Sequence, residues 1–128
     1  MEMRLAAVLV ILLCVSPLFG LYSTPDPDQL LIEQLAKSGG DLSKPHNIVF
    51  LLYFPSAEGA AKAAGDVYEK KFDVNVLKPT KAGEPWSCAA RKTMVPDLKA
   101  LQKIRRQFMA IATANGGEYR GWSTESMK

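Results

Sequence analysis

The sequence feature that most constrains the fold is an unbroken apolar run, IVFLLYF, at residues 48–54, which ends at Pro55. A short run of branched and aromatic residues favours a strand, since helices of globular proteins are usually longer. A strand without polar alternation is typical of the middle of a sheet, where both faces are covered. The run therefore predicts a central strand, and other segments of the chain must supply its cover.

Three segments carry apolar residues at helical spacing. The first is short, with Asp28 as its predicted N-cap. The second follows the apolar run, with Ser56 as N-cap and a face of small side chains that are mostly alanine. The third and longest begins at Asp97 and ends at residues 115–117, Asn-Gly-Gly, where a glycine can adopt the left-handed cap. These features predict three helices.

Three more strands are predicted from period-two patterns and aromatic content. Residues 72–77 alternate between apolar and polar types, and residues 86–94 place Cys88 on one face with other apolar side chains. A short edge strand is expected at residues 118–122. The resulting order, β-α-β-β-α-β with one helix in front, predicts an α+β ferredoxin-like split βαβ fold. In this fold two helices cover one face of an antiparallel sheet.

The N-terminal segment predicts export. Residues 5–22 contain no charged side chain and follow the single base Arg4, which is typical of a secretory signal peptide. Pro17 falls where a membrane-spanning helix would have to continue, so cleavage is favoured over an uncleaved anchor. We expect a secreted protein or one in a secretory or periplasmic compartment, the alternative being a single-pass membrane anchor. The predicted organisation is a leader at 1–22, a linker at 23–27, a domain at 28–122 and a flexible tail at 123–128.

The charge of the chain is divided unevenly. Residues 24–43 carry a net charge of −3, and residues 44–128 carry a net charge of +6. This excess is far below the dense basic runs of nucleic-acid-binding tails. It indicates a weakly acidic partner at most.

The residue types that most enzymes and metal sites need are scarce. His46 is the only histidine and lies at the start of the first strand, which favours a structural role and leaves no triad or zinc site to assemble. Removal of the leader takes Cys14 with it and leaves Cys88 as the only thiol. The period-two pattern favours Cys88 as a small core residue. We expect no catalytic residue, metal or cofactor, and an enzyme that uses Cys88 is the alternative.

The polar face of the third helix is strongly basic. Lys99, Lys103, Arg105 and Arg106 lie largely off its apolar stripe. A solvated surface is the favoured interpretation, and a docking site for an acidic protein or for anionic head groups is the alternative. The base-stacking aromatic pattern of RNA-binding ferredoxin-like modules is not found, so no nucleic-acid partner is expected.

The string GGEYRGW at residues 116–122 resembles the ending of the regulator of ribonuclease E activity B (RraB) family. Members of that family carry Glu-Tyr-Asp-Gly-Trp after their last helix, often with Gly-Gly before it. Residues 39–45 resemble the segment that leads into the family's first strand. The string Tyr53-Phe54-Pro55 resembles the end of that strand. The resemblance covers about residues 28–122.

The resemblance implies a small ferredoxin-like protein without catalytic activity. Bacterial members bind ribonuclease E and restrain RNA cleavage. The residue types of the string favour a structural role, in the turn and at the sheet edge, for one set of residues and leave the other set as candidate protein contacts. The structural set is Gly116, Gly117, Gly121 and Trp122, and the contact set is Glu118, Tyr119 and Arg120.

One position departs from the family pattern. Arg120 stands where the family has aspartate, and the basic body contrasts with the acidic bacterial regulators. An exported protein would also be separated from cytoplasmic ribonuclease E. We therefore expect a non-catalytic protein-binding domain with a diverged partner. The alternative is a regulator of a ribonuclease held at the cytoplasmic face by an uncleaved leader, the case in which a membrane also becomes a partner.

Overall fold

The computed structural model describes residues 25–125. Each predicted helix and strand is present, in the predicted order. The elements are α1 (Pro27–Lys37), β1 (His46–Phe54), α2 (Ala57–Glu69), β2 (Asp73–Leu77), β3 (Trp86–Met94), α3 (Leu98–Ala114) and β4 (Glu118–Glu125). The predicted leader and residues 126–128 of the predicted tail lie outside the described residues.

The four strands form one antiparallel sheet in the order β2-β3-β1-β4. The apolar run is therefore inside the sheet, as predicted. β3 pairs with both β1 and β2, so these two strands run parallel to each other with β3 between them. This is the split βαβ arrangement, and it confirms the predicted ferredoxin-like fold.

All three helices contribute to a core on one face of the sheet. Alternate residues of β1 (Ile48, Phe50, Leu52 and Phe54) are buried there together with Cys88. The rings of Phe50, Phe72 and Phe108 pack edge to face, with centroids 4.9–5.6 Å apart. Each fully buried aromatic side chain contributes about 2–3 kcal/mol of hydrophobic free energy. Within residues 25–125, no helix combines the length and the apolar character that a bilayer span requires.

Of the two predicted N-caps, Ser56 is confirmed and Asp28 is wrong, and the third N-cap, Asp97, lies where the sequence predicts the start of α3. Ser56 and Asp97 cap α2 and α3 by accepting hydrogen bonds from Gly59 N (3.1 Å) and Ala100 N (2.9 Å). The N-cap of α1 is Asp26, which accepts from Asp28 N at 2.8 Å, so the prediction that Asp28 caps this helix is wrong. Asp28 lies in the first turn and is only 2 % exposed. It is drawn inward by partners that are distant in the sequence.

Some predicted boundaries and burial patterns also need correction. α1 begins inside the predicted linker, and β4 extends to Glu125, past the predicted end of the domain. Leu30, Tyr68 and Val76 belong to predicted apolar faces but are 43 %, 68 % and 39 % exposed. Each lies at the margin of its buried face, where periodicity does not show how far the cover reaches.

Candidate functional site

Two of the segments that carry the family resemblance, residues 53–55 and 116–118, meet at one end of the sheet. β1 ends where β4 begins because the strands are antiparallel neighbours, and Tyr53 pairs with Glu118. A cleft of about 650 Å³ opens at this point. We call it the signature cleft. Its lining residues are Tyr53, Phe54, Pro55, Gly83, Glu84, Pro85, Gly116, Gly117 and Glu118.

The turn that leads from α3 into β4 is a Schellman motif. Asn115 is the C-cap, and Gly116 has a φ of 79°, which a glycine adopts without steric cost. Gly117 N donates to Ala112 O at 2.8 Å, and Gly116 N donates to Thr113 O at 3.2 Å. These are the two hydrogen bonds that define the motif. The turn places the signature residues beside the end of β1.

Gly117 is required by close contact with β1. A Cβ at this position would overlap the carbonyl oxygen of Tyr53 and would lie 2.6 Å from Cε1 of Phe54. Real Cβ atoms do not approach other heavy atoms so closely, so a larger residue would push the turn away from β1. The wall of the cleft is therefore set by the backbone.

A β-bulge divides the signature residues between the two faces of β4. Leu51 pairs with Gly121 and Leu52 pairs with Tyr119, so Arg120 is the extra residue of the bulge. Gly121 has a φ of 110°, which suits a glycine in a bulge. Because of the bulge, Tyr119 and Trp122 both point into the core although they are three positions apart, so Tyr119, a predicted contact residue, lies on the inward face instead.

The outward residues of the signature form a small polar group beside the cleft. Arg120 Nη1 lies 3.1 Å from Glu118 Oε1, and the two side chains are 53 % and 62 % exposed. The Arg120 guanidinium also lies 5.4 Å from the centre of the Tyr53 ring. An exposed ion pair of this kind adds little to stability. These side chains are therefore available for contact with another molecule.

The inward residues of the signature belong to a buried polar network that fixes α1. Trp122 Nε1 donates to Asp28 Oδ1 at 3.0 Å. Asp28 Oδ2 lies 2.9 Å from Arg105 Nε, at an angle that makes no hydrogen bond, so the two interact as charges. Arg105 Nη2 also lies 3.2 Å from Asp26 Oδ2, which accepts from Gln102 Nε2 at 2.8 Å.

The surroundings shift the pKa of three groups in and beside this network. Removal from water raises the pKa of Asp28, although the Trp122 hydrogen bond and the Arg105 charge oppose the shift. At Asp26, the desolvation that would raise the pKa is outweighed by hydrogen bonds from Gln102 and from backbone amides, so its pKa is lowered. Burial and the Asp28 charge raise the pKa of Tyr119, whose hydroxyl has no hydrogen-bond partner among the described residues.

The four basic residues predicted on the polar face of α3 are not equivalent. Lys99, Lys103 and Arg106 are exposed. Arg105 has only 26 % of its side chain exposed because it turns towards α1. The helical pattern did not separate Arg105 from Arg106, since its acidic partners lie far away in the sequence.

Sequence reasoning also missed part of the cleft. The sequence assigns no contact role to Tyr53. Glu84 and Pro85 come from the β2–β3 loop, whose position depends on the pairing of β2 with β3. Glu84 accepts a hydrogen bond from Thr80 Oγ1 at 2.8 Å. The cleft thus combines apolar walls with two carboxylates, Glu84 and Glu118. Such a surface is suited to a peptide that presents a basic side chain.

The groups weighed for catalysis lie away from the cleft. Cys88 is 0 % exposed, and burial raises the pKa of its thiol to about 11. His46 Nε2 lies 2.8 Å from Asp41 O, in a contact that joins the start of β1 to the preceding turn. Among residues 25–125, no group of three or more His, Cys, Asp or Glu side chains is placed to hold a metal ion.

The family model described as RraB, regulator of ribonuclease activity B, matches residues 26–124. This span begins at the N-cap of α1 and includes the whole signature and all three segments that line the cleft. No curated protein matches the chain.

Proposed function

The chain belongs to the RraB family, and from this membership we propose that it is a non-catalytic regulator that binds another protein through the signature cleft. The observation that carries the proposal is that residues 53–55 and 116–118 line one cleft. These segments carry the family resemblance and are far apart in the sequence. Family features that meet at an accessible surface support a shared mode of binding at that surface.

The chemistry of the cleft supports a protein partner. Tyr53 is partly exposed at the wall and carries the Arg120 guanidinium near its ring. Tyrosine and arginine are enriched among the residues that dominate binding energy at protein interfaces. Glu118 and Glu84 supply negative charge at the rim. We propose that the partner inserts an apolar segment with a basic side chain, which these carboxylates bind.

Within residues 25–125, the thiol of Cys88 is unsuited to act as a nucleophile, which supports a role without catalysis. A reactive cysteine needs solvent access and a low pKa, and Cys88 has neither. The hydrogen bond of the His46 ring goes to the backbone oxygen of Asp41, and not to the carboxylate or hydroxyl side chain that a catalytic triad would require. We therefore propose that the chain regulates by occupying or reshaping its partner.

The identity of the partner is proposed to have diverged from that of the bacterial regulators. Arg120 reverses the charge that the family carries beside the cleft, and the uncharged leader supports export. A second candidate keeps a ribonuclease as the partner, because the family description names ribonuclease activity. N-terminal sequencing of the native protein separates the two, since a start near residue 23 favours the exported form and an intact Met1 favours the anchored one.

Binding through the cleft can be tested with two matched glutamates. Glu118→Lys reverses a charge at the cleft. Glu58→Lys does the same on α2, where Glu58 is 78 % exposed and pairs with Lys62 at 3.2 Å. The tagged full chain is expressed in its own host, and the proteins that it retains are quantified by mass spectrometry. We expect one specific partner whose recovery falls at least about tenfold with Glu118→Lys, the loss of roughly 1.4 kcal/mol of binding free energy.

The control variant Glu58→Lys shows whether a loss of binding is specific to the signature cleft. Glu58→Lys should retain the partner as the wild type does. Equal recovery with both variants would place the binding surface elsewhere, and the absence of any specific partner would count against a protein-binding role.

A further inference from the structure

A second surface lies at the opposite end of the sheet from the signature cleft. His46 of β1 pairs with Met94 of β3 at that end. At the other end, Tyr53 and Phe54 of β1 pair with Ser87 and Trp86 of β3. A groove of about 330 Å³ opens there between α2, α3 and β3. We call it the basic groove. Its rim carries Lys70, Lys92 and Lys103, and its lining includes Phe72, Met94 and Ile104.

The rim of the basic groove concentrates positive charge. No acidic side chain lines it, and none of its three lysines forms an ion pair with any residue between 25 and 125. Lys99 and Arg106 extend the same charge along α3, one turn on either side of Lys103. Carboxylates line two neighbouring cavities: Glu69 and Asp73 lie with Lys71 in one, and Asp73 and Glu125 lie with Arg91 and Lys92 in the other. The excess of positive charge within the groove itself would attract an anionic partner.

The floor of the groove is apolar and well ordered by packing. Phe72 and Ile104 are 4 % and 8 % exposed, and Met94 is half-buried beside them. Lys92 Nζ lies 4.6 Å from the centre of the Phe72 ring, a cation–π contact that fixes an ammonium at the rim. Phe72 and Ile104 are thus largely covered, and Met94 is the part of the floor that remains accessible, with positive charge beside it.

We propose that the basic groove binds an acidic segment of a partner protein, with carboxylates on the three lysines and an apolar side chain on the floor. A protein segment fits better than a nucleic acid because the Phe72 ring, covered by Lys92, offers no face on which a base could stack. It fits better than a membrane because the lysines surround a concavity between elements. This surface is separate from the signature cleft, so the proposal does not depend on the function of that cleft.

The test uses two fluorescein-labelled peptides of equal length and equal glutamate content. One has leucine at every third position and the other has glycine there. Binding to the full chain is measured by fluorescence anisotropy at low and physiological salt. We expect the leucine peptide to bind more tightly than the glycine peptide and to weaken as salt rises, because the contact combines apolar burial with screened charge.

Matched charge reversals identify the surface. Lys70→Glu/Lys103→Glu changes the groove, and Lys78→Glu/Lys81→Glu makes the same change of net charge in the β2–β3 loop. The groove variant should weaken binding at least about tenfold and the loop variant less than about threefold, roughly 0.6 kcal/mol. Lys70→Gln/Lys103→Gln, which removes charge without reversing it, should give an intermediate loss.

Several results would overturn the proposal. Equal losses in the groove and loop variants would indicate attraction to net charge alone. Equal affinity for the two peptides would remove the role of the apolar floor. Tighter groove-dependent binding to vesicles containing phosphatidylserine, or to single-stranded oligonucleotide, would replace the acidic protein segment with that ligand.

Discussion

The two faces of β4 carry neighbouring residues of one motif and are built in different ways. On the inward face, Trp122 donates to a buried carboxylate and Tyr119 packs against Phe108 with ring centroids 6.1 Å apart. On the outward face, Glu118 and Arg120 form an exposed ion pair beside the cleft. The inward face is expected to determine stability and the outward face binding. The charge reversal at Arg120 falls on the face where it costs the fold little.

The largest effect is expected where the inward network loses its cation. Arg105→Leu leaves Asp28, with 3 % of its side chain exposed, without its charged partner. Removing one member of a buried pair costs about 3 kcal/mol. Urea denaturation should show this loss in the free energy of unfolding, and the control Arg106→Leu should change it by less than about 0.5 kcal/mol, because Arg106 is exposed. Similar losses for the two variants would show that the network is not a special source of stability.

The pH dependence of Arg105→Leu gives this prediction a sign. The Arg105 charge lowers the pKa of Asp28, so removal of that charge raises the pKa further above its usual value of 3.8. A raised carboxyl pKa in the folded state costs stability at neutral pH and ceases to do so as pH falls through it. The stability difference between variant and wild type should therefore shrink between pH 7 and pH 4. A difference that grows on acidification would contradict the assigned role of Asp28.

The next largest effect is expected at the turn that sets both faces. Gly117→Ala places a methyl group against β1 and should lower the free energy of unfolding by about 2–3 kcal/mol. Gly65→Ala is the matched control, because Gly65 lies in α2 with no atom near its added Cβ. Alanine there should raise stability by about 0.5–1 kcal/mol through helix propensity. Equal effects of the two substitutions would contradict the close contact at Gly117.

A third prediction extends the inward face to Cys88, which lies opposite Leu52 in the core. Its thiol pKa is raised from 9.0 to about 11, so the unfolded chain loses this proton at lower pH than the folded chain does. Stability should fall by about 2–3 kcal/mol from pH 9 to pH 11. Cys88→Ala should have a shallower slope, with the fall above pH 10 that Tyr119 causes still present. Equal slopes would show that Cys88 is not buried as described.

The smallest effect on stability is expected on the outward face. Glu118→Lys removes an exposed ion pair and places two cations together, which should cost less than about 1 kcal/mol. Thermal unfolding at low and high salt should show that the cost shrinks as screening increases. A larger cost that does not depend on salt would mean that Glu118 supports the fold.

The sequence predicted the fold well where a pattern is local and strong. The apolar run of β1, the apolar stripe of α3 and the Asn-Gly-Gly end of α3 can each be recognised from neighbouring residues alone. Together they define the order of the elements. The N-cap of α1 cannot be recognised from neighbouring residues alone. Asp26 and Asp28 are both suitable caps, and the choice is made by Trp122, 94 residues further along the chain, together with Arg105.

The site was predictable only in part. The signature was visible in the sequence, but period-two alternation does not place Tyr119 and Trp122 on one face, because the bulge at Arg120 shifts the register. Gly121 was a signal for this, since a glycine inside a strand often marks a bulge. The sequence did not place Glu84 in the signature cleft or Lys70 in the basic groove. A loop and a helix end bring these residues there only in the folded chain.

The comparison of the two faces is tested most directly by the free energies of unfolding of Trp122→Phe and Arg120→Asp, measured by urea denaturation under one set of conditions. Trp122→Phe leaves Asp28 Oδ1 without its donor at 3.0 Å and should cost about 2 kcal/mol or more. Arg120→Asp, which restores the family residue, should change stability by less than about 1 kcal/mol. Equal losses, or a larger loss for Arg120→Asp, would contradict the division of the signature into a structural face and a contact face.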